Sequence, residues 1–576
     1  MKLRNLSILL ASIFFVASCE LTDLDKQFDP NSPTPANLDV NFLYNSIQLN
    51  FVSFFVTSSD LTMPITRMMP MTGGNQWNNG WGPQSYSGLW SQAYQGVLIN
   101  IETMLPAAEE RGLVKYMGAA KVFKAYTLMT LVDMFGDVPY TEALQGTSNP
   151  SPGRDGQADV YAEAATLLDE AIAHFNDASN NAYPTTDLYG GGSGAQWIRI
   201  ANSLKMRYYI QTRLVNSNAA SGFSSILSGG NFIGADNDDS GSGGDFAFFA
   251  GSNRANPNSR HPWYNEAYEA SNGRYQSNYY MWLFRGEANS LGFDDPRLRY
   301  YFYRQDFDYT NASTWNQFTF DFVDFGDQNN PLIINKPTHY GATMPFGFAT
   351  NSNLVADADG YYGRDHGNAD GIPPDGQIRT TFGVYPAGGQ IDAADPASPS
   401  TFSHVQRNGT RGATGQGVAP ILMKSSVYFM RAEAALTMGT GEDARALFEQ
   451  GVRESINFVQ GFADERGQAY TGTDITNTDT YVGTLMTDYD NAADKLAVVT
   501  KEWHKALWGN GLDAYNMYRR TGYPAGLQPT RDQADAGQFP RSVWYPSNYV
   551  NLNQNSEQKA DLGQAIFWDN NTSAPE

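Results

Sequence analysis

The sequence predicts a mainly α-helical protein built from degenerate tetratricopeptide-like helix pairs, with long loops and little β-structure. Three observations predict it. Apolar and small residues recur at steps of three and four in several separate blocks. Neighbouring blocks are joined by glycine-containing breaks, where one helix stops and the next starts. Between them lie stretches rich in Gly, Asn and aromatic residues, too long to be mere connectors.

Taken in order, the chain begins with Lys2 and Arg4, then an apolar run from Leu6 to Ala17. The run is shorter than the ~20 residues that span a bilayer. It ends in Val16-Ala17-Ser18-Cys19, a lipobox-like boundary at the sole cysteine of the chain. Residues 1–18 therefore read as a lipoprotein signal, with Cys19 acylated after cleavage. An ordinary secretory signal with a chance cysteine is the weaker reading, because small residues precede a cysteine found nowhere else. Glu20, Asp23 and Asp25 resemble the surface-export signals of some Gram-negative lipoproteins, so the anchor is expected at the outer membrane, facing the exterior. Residues 19–35 read as a polar, Pro-containing lipidated tether, and 36–576 as one domain.

Helices follow. Tyr116, Ala119, Phe123, Tyr126 and Thr130 form one face, and Tyr161, Ala164, Leu168, Ala171 and Phe175 another. Trp197–Val215 is a third helix. Ile421–Met438 and Glu442–Val459 pair across Gly439-Thr440-Gly441, with Ala432, Ala434, Ala435, Ala444 and Ala446 expected to permit close approach. Asp494–Arg520 is a last helical stretch, broken near Gly509-Asn510-Gly511. The loop regions are Gly73–Trp90, Ser221–Asn330 and Pro331–Gly417, with a strand expected at Phe318–Phe322.

A formal net charge of −22 disfavours nucleic acid and anionic lipid surfaces as partners. With Cys19 acylated no disulfide can form and no thiolate zinc site exists, so packing must supply stability. Aromatics make up 13% of residues, which argues against a disordered chain and for loops that display rings.

Two stretches have the composition of binding platforms. The first is Trp77-Asn78-Asn79-Gly80-Trp81, with Tyr86 and Trp90 downstream; the second is His261-Pro262-Trp263-Tyr264, with Tyr279, Tyr280 and Trp282 beyond. A sugar ring offers an apolar C–H face to a flat indole or phenol and a hydroxyl rim to Asn or Asp. Most aromatics in helical proteins are core, and Trp90 and Trp282, in helix-compatible stretches, read as core. Trp77, Asn78, Asn79, Trp81 and Tyr86 are the leading ligand candidates, followed by Trp263, Tyr264, Tyr361 and Tyr362. In Arg364-Asp365-His366 the adjacent side chains diverge, so a hydrogen-bond network or one Arg aimed at ligand is expected rather than acid–base catalysis. The chain has no HExxH, GxSxG or Walker motif. Spatial carboxylate pairs of the glycosidase kind are not readable from sequence. Asp236, Asp238, Ser240 and Gly241 match the start of a calcium loop, but Ala247 stands where its closing Glu belongs. Asp357-Ala358-Asp359-Gly360 is a second fragment, and both read as solvated acidic loops; no cofactor is expected, calcium being the one candidate.

In this order, the lipobox at Cys19, Asp29-Pro30-Asn31-Ser32-Pro33, the Tyr116–Val132 helix running into Phe135-Gly136-Asp137-Val138-Pro139-Tyr140, Tyr428–Glu433, and Arg519-Arg520-Thr521-Gly522 resemble the SusD/RagB family of nutrient-binding outer-membrane lipoproteins. Gly363-Arg364-Asp365-His366-Gly367 and Gly371–Gly376 are similar to its SusD-like subgroup. Where the wider family carries an acidic-Gly-aromatic turn, this chain has Trp508-Gly509-Asn510-Gly511-Leu512, so ligand residues of other members do not transfer. The resemblance implies four tetratricopeptide-like pairs with loops forming a ligand face. It also implies a partner, a SusC-type TonB-dependent transporter over which the lipoprotein sits as a lid. The expected protein is a non-enzymatic, lipid-anchored receptor for oligosaccharide or peptide; the alternatives are a glycoside hydrolase on a helical scaffold and a purely structural surface lipoprotein.

Overall fold

The computed structural model describes residues 38–71, 81–235, 244–270, 274–277, 279–281, 283–284, 294–304, 366, 380–392, 409–472, 477–528 and 538–570. The elements are α1 (Val40–Thr62), α2 (Ser87–Ser91), continued through a π-helical segment Gln92–Leu98 into α3 (Ile99–Glu110), α4 (Val114–Phe135), α5 (Gln157–Asn176), α6 (Gly194–Thr212) and α7 (Ala219–Gly229). Then come β1 (Phe246–Phe249), α8 (Pro262–Asn265), α9 (Leu298–Tyr301), β2 (Phe302–Tyr303), β3 (Thr381–Phe382) and β4 (Val418–Leu422). The C-terminal part holds α10 (Lys424–Met438), α11 (Ala444–Asp464), α12 (Thr478–Asn491), α13 (Lys495–Ala506), α14 (Gly511–Thr521) and α15 (Ser547–Leu552). The protein is mainly α, as the sequence predicts. Its described β-structure is two short antiparallel pairs, β1 with β4 and β2 with β3. Among the described residues no helix is long and apolar enough to cross a membrane.

The predicted face of α4 is buried, and so is nearly every other residue of that helix, because α1, α3, α5 and α6 pack around it. Gly118 is what lets α5 come so close: a Cβ there would lie 2.9 Å from the ring of Phe175. Phe51 of α1, Phe123 and Tyr126 of α4 and Phe246 of β1 form one aromatic cluster, with Phe51–Phe123 centroids 4.7 Å apart. In the second half α10 packs on α11 and α13. The helix stop at Gly439 and Gly441 is as expected: both have positive φ (67° and 82°), and Asp443 caps α11. Of the alanines expected at this contact, Ala432 and Ala434 are buried but Ala446 is exposed; Gly451, against the ring of Phe429, permits the approach.

Several sequence boundaries shift. Ile421 and Leu422, expected in the helix, lie in β4, where the ladder with β1 pairs Leu422 with Phe246, and α10 starts at Lys424. The third helix ends at Thr212 rather than Val215, and α11 runs on to Asp464. The strand expected at Phe318–Phe322 lies outside the described residues.

The motifs far apart in sequence meet in the core. Arg520 forks onto Glu433, with Nε to Oε1 at 2.7 Å and Nη2 to Oε2 at 2.8 Å. Arg519 donates to the Asp133 carbonyl at 2.7 Å, and Arg207 bridges Asp133 and Asp513. Asn510 caps α14 and donates to the Ile421 carbonyl at 2.9 Å, while Ser59 of α1 links Gly509 and Gly511, both contacts at 2.8 Å. The Trp508–Leu512 run thus clamps α1, β4 and α14 together.

Candidate ligand cavity

A cavity of about 470 Å³ opens at the C-terminal end of α1. Its walls are Thr57, Asp60 and Leu61 from the last turns of α1, Pro64, Met69, Pro70 and Met71 from the turn that follows, and Trp81, Arg274 and Tyr275.

The turn is built by buried polar groups. Helix α1 ends as Met63 donates to the Ser59 carbonyl and Pro64 follows. Arg67 then takes a left-handed φ of 66°, rare for a side chain of its size. Its guanidinium, fully buried, holds that conformation by donating to the carbonyls of Pro64 (3.2 Å), Ile65 (3.3 Å) and Gln528. His504 meets the Thr66 carbonyl at 3.1 Å, and His366 Nδ1 accepts from the Met71 amide at 3.4 Å. The His366 amide in turn donates to Gln528 Oε1 at 3.1 Å. Burial pushes His504 down to about 4 and His366 well below the usual imidazole range, so both are neutral at pH 7. Neutrality is what lets His366 Nδ1 accept.

One side of the cavity carries charge. Arg274 donates through Nη2 to Asp60 Oδ2 at 2.8 Å, with Nη1 2.8 Å from Oδ1, and through Nε to Glu266 Oε2 at 3.0 Å. Burial opposes its charge, but Asp60 and then Glu266 outweigh it and hold the guanidinium above its usual range. Asp60 is itself fixed from behind by Trp263, whose indole N–H donates to Oδ1 at 2.8 Å. The rest of the lining is mainly apolar, with Leu61, Met69, Met71 and the half-buried Trp81.

Of the residues singled out in sequence, Trp81 lines the cavity. Tyr86 does not; it is 2% exposed, edge-on to Phe135 in the core. Trp263, also 2% exposed, stacks on Phe382 at 4.7 Å and supports Asp60 rather than offering a ring face. Tyr264 is buried, stacked on Tyr268 at 4.7 Å, with its hydroxyl donating to the Arg411 carbonyl at 2.8 Å. All three are corrected from ligand platform to core: a short helix with Pro262 in its first turn draws Trp263 and Tyr264 inward. Tyr279 and Tyr280 are core as well, and Trp90 is buried as expected. Cys19, Trp77, Asn78, Asn79, Tyr361, Tyr362, Arg364 and the acidic fragments Asp236–Gly241 and Asp357–Gly360 lie outside the described residues, as does the Trp282 side chain. Sequence reading missed Asp60, Met69, Met71, Arg274 and Tyr275. Tyr275 had a legible signal, an aromatic beside Gly273-Arg274 within the second platform; Asp60 had none.

The profile of the SusD-like family, described as starch-binding and associating with the outer membrane, matches residues 34–337 and 377–546. The stretch between them holds Tyr361, Tyr362 and Arg364. A SusD/RagB family protein from Bacteroides thetaiotaomicron VPI-5482 has a TM-score of 0.60 at 17% identity, covering 93% of this chain and 100% of that one. A SusD homologue from Bacteroides fragilis NCTC 9343 has a TM-score of 0.59 at 16% identity, covering 92% and 99%. A chitin-binding SusD homologue from Flavobacterium johnsoniae has a TM-score of 0.58 at 17% identity, covering 93% and 99%. These likenesses are of fold. No curated protein matches the chain by sequence.

Proposed function

This chain belongs to the SusD-like family, and from that premise we propose that it is a cell-surface receptor that binds oligosaccharide and delivers it to a SusC-type TonB-dependent outer-membrane transporter. The observation that carries the reading is the cavity itself. Trp81 and Tyr275 supply ring faces, Met69 and Met71 an apolar wall, and Thr57, Asp60 and Arg274 a polar rim. This is the mixture that a sugar's C–H face and hydroxyl edge require. The descriptions of the family as starch-binding and of one structural relative as chitin-binding support the same ligand class.

The proposed ligand contacts extend beyond the described residues. The segment bearing Trp77, Asn78 and Asn79 leaves from Met71 and returns at Trp81, both on the cavity wall. Arg364 stands two residues before His366, which bonds to Met71, and Tyr361 and Tyr362 precede it closely. Chain connectivity supports a role for both segments in capture.

The protein acts as a binder and not a hydrolase in this reading. Among the described residues the acids beside the cavity are Asp60 and Glu266, and both are engaged by Arg274, so neither is free to serve as proton donor to a glycosidic oxygen. Residues 1–18 are removed, Cys19 carries the lipid at the outer leaflet, 19–35 is the tether and 36–576 a single binding domain. A chain held only by lipid cannot move solute across the membrane, which is why a transporter partner is required.

The test is an array of oligosaccharides and peptides probed with the purified chain, with mass spectrometry of the supernatant. Binding of one glycan class without new products is expected. Turnover that survives repurification contradicts the receptor and favours a hydrolase; binding of peptides alone contradicts the ligand class. Tagged chain extracted in mild detergent at low salt should bring down a TonB-dependent transporter, and its recovery alone across several such detergents contradicts delivery.

A further inference from the structure

We propose that this cavity discriminates by ligand charge: it takes uncharged oligosaccharides and rejects those bearing uronate or sulfate groups. The inference rests on the receptor reading above and specifies its ligand class. Among the described residues, Asp60 and Arg274 are the charged side chains on the wall. They are closed on each other. All three guanidinium nitrogens of Arg274 face carboxylate oxygens, two of them Asp60 and one Glu266. The one cation among the described wall residues is therefore engaged by two carboxylates of the protein.

A ligand carboxylate could recruit Arg274 only by displacing Asp60 or Glu266. Asp60 cannot swing away cheaply, because the Trp263 indole holds its Oδ1 and that ring is packed in a buried cluster with Phe382 and Trp508. The displaced acid would stay beside the incoming anion, a like-charge contact that no other cation among the described wall residues relieves. The formal charge of −22 on the whole chain acts in the same direction at long range. A neutral sugar meets no such obstacle. Its hydroxyls can use the outer lone pairs of Asp60 while its ring covers Trp81. The ion pair acts as a device against the wrong ligand, leaving attraction to the aromatic and apolar wall.

The test uses an array of neutral hexasaccharides, each paired with its C6-oxidised uronate form, so that linkage and length are matched. Neutral members are expected to bind at least tenfold tighter than their oxidised partners, and raising salt should narrow the gap without moving the neutral affinities. Asp60→Asn keeps an acceptor for the Trp263 indole and releases the guanidinium, and should narrow the gap at low salt; Glu266→Gln is the second variant, and melting curves check that both fold. Oxidised forms that bind as tightly as neutral ones overturn the inference and leave the receptor reading intact. An unchanged gap in both folded variants overturns the ion pair as its cause. No binding by any member overturns the receptor reading, and the inference with it.

Discussion

At the scale of the residue, two tryptophans with similar sequence surroundings have different work. Trp81 lines the cavity, whereas Trp263 is 2% exposed and props Asp60. Trp81→Ala should weaken glycan binding by about 1–3 kcal/mol, by analogy with the loss of one stacking ring, and leave the fold alone. Trp263→Ala should instead cost about 3–5 kcal/mol of stability, the usual penalty for emptying a buried indole site. Calorimetric titration and urea denaturation of both variants separate the two effects. Loss of stability in the Trp81 variant, or none in the Trp263 variant, would reverse the assignment. Sequence alone could not divide them. Both stand near Gly, Asn or Pro, and what decides is a pair of distant partners: Asp60, 203 positions before Trp263, and Phe382, which stacks on it.

At the scale of the element, the region around the cavity hangs on the contact between the end of α1 and the start of α14. A Cβ at Gly511 would lie 2.5 Å from the Met63 amide nitrogen and the Ser59 carbonyl oxygen, both backbone atoms that cannot give way. Gly511→Ala should therefore destabilise by at least about 2 kcal/mol, within the range for overpacked cores. It should also weaken glycan binding, because Thr57, Asp60 and Leu61 sit on the displaced end of α1. Equilibrium denaturation with a parallel titration checks it; a variant as stable as the parent would refute this hinge of the fold. Helices with one buried face, such as α5, were legible from their period. Helix α1 was not: its Phe, Val, Thr and Ser residues favour strands or turns, and tertiary burial overrides that preference. The Trp508–Leu512 run was legible as a break, but its clamp on α1 and β4 was not, since those contacts reach across 89 residues or more.

At the scale of the whole molecule, buried imidazoles set an acid limit. Burial pushes His261 down to about 3 and His504 down to about 4. Below the ordinary histidine pKa of about 6.5 the unfolded chain takes up protons that the folded chain refuses, so stability falls as pH falls through that value. Each of the two should cost about 2 kcal/mol at pH 5 relative to pH 7. Against the cost of burial, Arg520 and Arg213 hold Glu433 below its usual range, so its contribution is lost only at lower pH. Urea denaturation at pH 7 and pH 5 measures the slope. His504→Gln, which keeps a donor for Thr66, should make it shallower; an unchanged slope would show that His504 is not a source of it.

The order of motifs along the chain was enough to reach the family, because the fold brings those motifs together: Glu433 and Arg520 are 87 positions apart in sequence and bidentate in space. The ligand cavity was only half legible, because its apolar wall and its acid come from a turn and a helix end with no composition of their own. The most direct measurement is a crystal structure of the protein soaked with an oligosaccharide that binds it. The account predicts a sugar ring against Trp81, in the cavity bounded by Asp60, Met69 and Tyr275, with Arg274 still paired to Asp60. A saccharide bound elsewhere on the molecule, with this cavity empty at saturating ligand, would contradict it.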